Sequence, residues 1–87
     1  MMDRRQLIVV IPAYNEAAIL CAITHAAFAE VPRVIVIDDG STDGTARAVA
    51  GLPVTLLRNP HNLGKAASLW RGIDTALAEG ARRDHHT

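Results

Sequence analysis

Three short runs of aliphatic residues, Leu7 to Ile11, Val34 to Ile37 and Val54 to Leu57, punctuate this chain, and each is apolar at nearly every position. A strand with one wet face alternates apolar and polar residues; an unbroken apolar run suits a strand covered on both faces, the condition of a parallel sheet between helices. The segments between the runs carry a different period. From Glu16 onward Ile19, Leu20, Ile23, Ala27 and Phe28 return at three- and four-residue steps until Pro32, which predicts a helix. After the second run, Gly40 turns the chain and Ser41 or Thr42 is placed to cap a helix over Asp43 to Ala50. After the third, a polar connection from Arg58 to Leu63 leads into a helix from Gly64 to Glu79, with Ala66, Leu69, Trp70, Ile73 and Leu77 as its inward stripe and Gly80 as its stop. Parallel neighbours need crossover connections, so the alternation predicts an α/β fold, Rossmann-like, with three parallel strands and three helices.

Eighty-seven residues suffice for one domain, and 49% hydrophobic with 21% charged residues lies away from the compositions of disordered chains. Nine Lys plus Arg balance nine Asp plus Glu, so no net positive field exists to recruit nucleic acid, and any anion must be held locally. Cys21, among Leu20, Ala22 and Ile23, reads as a buried apolar thiol with no disulfide partner. The apolar run after the charged start breaks at Pro12, too short for a signal peptide or membrane span, and the chain reads as cytoplasmic. Residues 1–80 form the expected domain; Ala81 to Thr87 offers no apolar run and reads as a disordered or non-native tail, its His85 and His86 solvated rather than metal-binding.

In open α/β sheets ligands bind at the carboxyl ends of the strands. Three polar clusters lie there: Pro12-Ala-Tyr-Asn-Glu16, Asp38-Asp-Gly-Ser-Thr-Asp-Gly44 and Asn62-Leu-Gly-Lys65. The adjacent acids Asp38 and Asp39 repel each other and have no basic run beside them, which points to a ligand. Carboxylates accept from ribose hydroxyls and from the imino N–H of a base, and Tyr14 offers a ring for stacking: chemistry suited to a nucleoside. Gly64 opens a helix whose free N–H groups favour a phosphate, and Lys65 adds a positive charge, which suits a diphosphate. Tyr14, Glu16 and Asp39 have no evident local duty. Asn15 and Ser41 are accounted for by turn hydrogen bonds and Asp43 by a helix dipole; Trp70 reads as core, His25 as a helix rim and His61 as part of a polar loop.

The stretches Val9-Val-Ile-Pro-Ala-Tyr-Asn-Glu16, Val36-Ile-Asp-Asp-Gly-Ser-Thr-Asp-Gly-Thr45 and Asn62-Leu-Gly-Lys-Ala-Ala67 resemble, in order and spacing, the opening of family 2 glycosyltransferases of GT-A fold, in particular the polyprenol- and dolichol-phosphate sugar transferases. The resemblance runs from about Leu7 to Gly80. It implies a UDP- or GDP-sugar donor, with Pro12, Ala13, Tyr14 and Glu16 contacting the nucleoside, Ile37 and Asp39 holding base and ribose, and Lys65 near the phosphates. It implies strand order three, two, one, with strand one at an edge free for self-association. It also implies a later strand ending in Asp-x-Asp that holds Mg or Mn, then a catalytic base and an acceptor site at a membrane. None of these is among the 87 residues, so the chain is expected to be a nucleotide-binding fragment, inactive alone. A non-catalytic interaction module is the alternative. An NAD-dependent oxidoreductase is disfavoured, because the first turn lacks Gly-x-Gly-x-x-Gly.

Overall fold

The structure is a computed structural model that describes residues 7–84. Its elements are β1 (Ile8–Ala13), α1 (Ala17–Glu30), β2 (Arg33–Asp39), a 3-10 turn (Arg47–Val49), β3 (Thr55–Asn59) and α2 (Lys65–Asp84). The sheet has the order β1-β2-β3, the expected 3-2-1 read from its other edge, and both pairings are parallel. Central β2 is buried from Val34 to Asp39, as its unbroken apolar run requires. Val34 and Val36 face α1, where they join Ala13, Leu20, Val31 and Val49 in the core, with Val9, Ile11, Phe28 and Leu56 packed around them. Ile37, of opposite parity, meets α2 on the other face. Burying a side chain such as Val36 or Ile37 contributes about 2 kcal/mol each. Pro12 lies within β1, which an edge strand permits because a position facing away from the ladder needs no N–H.

Two α-helices are present among the described residues, not three. The segment expected as a helix from Asp43 to Ala50 closes mainly 3-10 bonds, with Arg47 N–H donating to Gly44 O at 2.9 Å and Ala50 N–H to Arg47 O at 3.2 Å, and a single α-type bond from Ala48 N–H to Gly44 O at 3.2 Å. Gly44 has φ 84°, so helical geometry cannot begin before it, and the seven residues from Thr45 to Gly51, room for about two α-turns, carry only a short 3-10 helix over Arg47–Val49.

The helix faces also depart from the predicted stripes. Trp70 and Leu77 are 65% and 66% exposed, and Leu69 is exposed too. The sheet side of α2 is instead a row of small residues, Ser68, Gly72 and Ala76, at four-residue steps. A Cβ at Gly72 would lie 2.6 Å from Ile37 Cδ1 and would overlap Val10 Cγ1, so the missing side chain is what lets the helix lie this close to the sheet. In α1 the buried arc is Leu20 and Thr24 with Ala27 and Phe28, leaving Ile19, Ile23 and Cys21 exposed; the thiol is not a core residue. That helix is apolar nearly all round, so its period alone does not choose the inward arc. α2 runs through Gly80 to Asp84, so Gly80 is not a stop and the tail's first residues are helical; the histidine pair His85 and His86 lies outside the described residues. No helix among the described residues is long and apolar enough to cross a membrane.

Candidate functional site

The register brings the strand ends level: Ala13 pairs with Asp38, and Asp39 with Asn59. Above this end lies a cleft of about 210 Å³ lined by Pro12, Ala13, Tyr14, Glu16, Asp39, Asn62, Gly64 and Lys65. Six of the seven residues expected at the site therefore meet in one place. The exception is Ile37, which shares the sheet face of Asp39 but lies two positions deeper in β2, where it is fully enclosed beneath Gly72 and does not line this cleft. Asn62 and Gly64 were not among the seven, although both stand in the third polar cluster.

The β1–α1 loop is held from across the sheet. Asn15, at φ 52°, takes a bond from Thr42 N–H on its Oδ1 and donates its own N–H to Ser41 Oγ, both at 2.9 Å. Glu16 N–H donates to Thr45 Oγ1 and Ala17 N–H to Asp43 Oδ2, each at 3.2 Å. The start of α1 has no side-chain cap of its own; Asp43 and Thr45 supply one. The dipole role expected for Asp43 is thus corrected: it serves α1, not a helix that follows it. The bond from the Thr45 hydroxyl, opposed by burial and aided by the Ala17 and Thr45 N–H groups, holds the Asp43 carboxyl below its ordinary 3.8. With the loop so fixed, Tyr14 stands 45% exposed at the cleft and the Glu16 carboxylate makes no cap bond.

Asp39 does have a local duty. Its Oδ1 accepts from Asn59 Nδ2 at 2.9 Å and Leu63 N–H at 2.8 Å, and its Oδ2 from Gly64 N–H at 3.0 Å. Burial works against its charge, but the bonds from Leu63, Asn59 and Gly64, with the Ser68 hydroxyl, outweigh it and hold the carboxyl below 3.8. Asp38 is separately engaged, accepting from Ser41 N–H at 2.9 Å and pairing with Arg58 at 3.5 Å. The two acids are therefore stabilised by protein partners, and their adjacency does not by itself demand a ligand. The Gly64 N–H expected to meet a phosphate is already taken by a carboxylate, leaving Lys65 as the cation on that wall. At the β2 end, Gly40 has φ 74° and approaches the next loop so closely that a Cβ would lie 2.6 Å from Asn62 N.

The cleft thus brings together the carboxylates of Glu16 and Asp39, the exposed ring of Tyr14 and the ammonium of Lys65. Among the described residues no three His, Cys, Asp or Glu side chains are grouped to hold a metal ion, and both strand-end acids have protein partners. These residues do not fit the divalent metal implied by the resemblance.

An open parallel α/β sheet with a polar cleft over its carboxyl ends is the plan of proteins that bind their ligands at that edge. Residues 8–79 match the family model Glycosyl transferase family 2, and the chain belongs to that family. Its structure is similar to that of the mannosyltransferase PcManGT from Pyrobaculum calidifontis in complex with GDP-Man and Mn2+, with TM-score 0.66 and 28% identity, over 90% of this chain and 25% of that one. An uncharacterized protein of Methanocaldococcus jannaschii is 33% identical over 78 residues, covering 83% of this chain and 34% of that protein. The chain thus spans about a third of the length of this relative and a quarter of the mannosyltransferase.

Proposed function

We propose that this chain is the nucleotide-binding part of a glycosyltransferase that takes its sugar from a nucleoside diphosphate donor, guanosine or uridine in type. The observation that carries the reading is the convergence of Tyr14, Glu16, Asp39 and Lys65, contributed by three separate strand ends, on one cleft. Tyr14 stacks on the base, the carboxylates of Glu16 and Asp39 accept from base N–H and ribose hydroxyl groups, and Lys65 offsets charge on the diphosphate. The GDP-Man held by the similar mannosyltransferase makes GDP the first nucleotide to test.

The metal that stabilises the departing diphosphate, the catalytic base and the acceptor site would come from residues other than these. By resemblance to the polyprenol- and dolichol-phosphate transferases, the whole protein works at the cytoplasmic face of a membrane, on an acceptor that these residues do not specify. Calorimetric titration with GDP, UDP and NAD tests the central reading. Binding of GDP or UDP in preference to NAD is expected; equal or tighter binding of NAD, or no binding of either diphosphate at millimolar concentration, would overturn it.

A further inference from the structure

Asp39, Asn59 and Ser68 are buried together where β2 and β3 end beneath the first turns of α2. An asparagine amide can sit in either of two orientations, exchanging its donor and acceptor ends, and only its neighbours decide between them. Here the neighbour is Arg71, whose Nη1 donates to Asn59 Oδ1 at 2.6 Å and to the Arg58 carbonyl at 2.8 Å. A guanidinium has no acceptor, so the amide oxygen must face it. The amide NH2 then faces Asp39 Oδ1 and Ser68 Oγ, both at 2.9 Å. The reverse orientation would set a carbonyl oxygen against the buried carboxylate.

Each carboxylate oxygen has about two acceptor positions. On Asp39, a residue that lines the cleft, Oδ1 accepts from Asn59 and Leu63 and Oδ2 from Gly64 N–H, while the Ser68 hydroxyl, which also accepts from the Asn59 amide, supports the same carboxylate. We propose that Asn59 and Arg71, neither of which borders the cleft, are positioning residues for the nucleotide: Arg71 sets the amide, and the amide fixes the orientation in which the Asp39 carboxylate is presented to an N–H or O–H of the ligand. This assignment rests on the nucleotide reading above.

The test must separate positioning from a mere staple between helix and sheet. Asn59→Asp keeps the shape. Ionised, it withdraws the donor and confronts Asp39 with a second carboxylate; protonated, its hydroxyl donates to Asp39 again. Wild type is titrated first with GDP, or with UDP if that binds better. The variant is expected to lose about tenfold in affinity near pH 7.5, the loss of one bond to a charged group, and to recover most of it as the pH is lowered to about 4, where the new carboxyl takes up its proton. The charged and titratable groups near Asp39 are Tyr14, Glu16 and Lys65 on the same cleft, Arg71 on Asn59, the Asp38–Arg58 pair and His61 beside Gly40, and all are common to both proteins. Their titration, and that of the nucleotide, cancels in the ratio of variant to wild-type affinity.

Arg71→Met changes an exposed residue and serves if Asn59→Asp does not fold; it should bind roughly three- to tenfold more weakly with its thermal midpoint little changed. A variant-to-wild-type ratio that is flat with pH, or full affinity in Arg71→Met, would reduce the cluster to a staple and end the proposal. If wild type binds neither diphosphate, the nucleotide reading itself fails and this assignment falls with it, an outcome read before any variant is made.

Discussion

Asp39 and Asp43 lie four positions apart and govern different helices. Asp39 collects the N–H groups of Leu63 and Gly64 just before α2; Asp43 reaches back 26 residues to the Ala17 N–H at the start of α1. Only Asp39 lines the cleft. Asp39→Ala should therefore weaken GDP or UDP binding by about 1.5 to 3 kcal/mol, one hydrogen bond to a charged group, whereas Asp43→Ala should weaken it less, by loosening the loop that carries Tyr14 and Glu16. Equal losses in titration would show that the two acids are wrongly assigned. Both carboxyls are held below 3.8 in the folded chain. A carboxyl with a lowered folded pKa contributes stability above its unfolded value and loses it as pH falls through the folded one. Stability followed by circular dichroism should accordingly fall below about pH 3.8, and Asp39→Asn, less stable at neutral pH, should show a shallower fall over that window. The place of Asp39 at the cleft was legible because it ends a buried strand. Its structural work was not, since its partners Asn59, Leu63 and Gly64 lie 20 to 25 positions away in sequence.

At the scale of the element, α2 is amphipathic in a sense opposite to the usual one. Its small residues face the sheet and Leu69, Trp70 and Leu77 face out. Gly72→Leu tests this. A leucine there gains about 1 kcal/mol of helix propensity but must displace Val10 and Ile37, and overpacking costs up to about 3 kcal/mol, so a net loss near 2 kcal/mol is expected. The melting midpoint should fall by roughly 4 to 8 °C per kcal/mol, and a variant as stable as wild type would show that α2 does not sit this close. The three strands were legible because each leaves a run of four or five mostly apolar residues, although only β2 is buried on both faces, β1 being half-buried and β3 exposed at Thr55 and Arg58. Helix faces were not. The large apolar stripe of α2 is real in sequence, but sequence alone does not say whether the stripe or the small-residue row meets the sheet, and close approach decided for Gly72. The region after β2 kept its helix-like composition yet formed a 3-10 turn, because Asp43 and Thr45 spend their hydrogen bonds on α1 and on each other. Six of the seven expected site residues meet at the cleft because they stand at or just after strand ends; Ile37 does not, because it lies inside β2 two positions before Asp39 and α2 packs over it.

For the molecule as a whole, two consequences concern the 87-residue polypeptide studied alone. Purified, it should transfer no sugar from GDP- or UDP-sugars with or without Mg2+ or Mn2+, since the described residues supply no metal-holding group to stabilise the departing diphosphate; turnover in a product assay would refute this. It should also self-associate. β1 has a strand partner on one side only among the described residues, and a short apolar edge with a single proline is a template for a second chain. The exposed side chains of Leu69, Trp70 and Leu77 on α2 add a competing route through side-chain contact. The two routes can be told apart by where a charge is tolerated. Val9 is unsuitable for the edge test because its side chain packs into the α1-side core, but Leu7, exposed immediately before β1, can carry a lysine without loss of packing. Light scattering should report a dimer or larger species for wild type, a shift toward monomer for Leu7→Lys, and a smaller shift for Trp70→Lys. A monomeric wild type at high concentration would remove the edge argument, and a Trp70→Lys variant that dissociates while Leu7→Lys does not would move the contact from the strand to the helix.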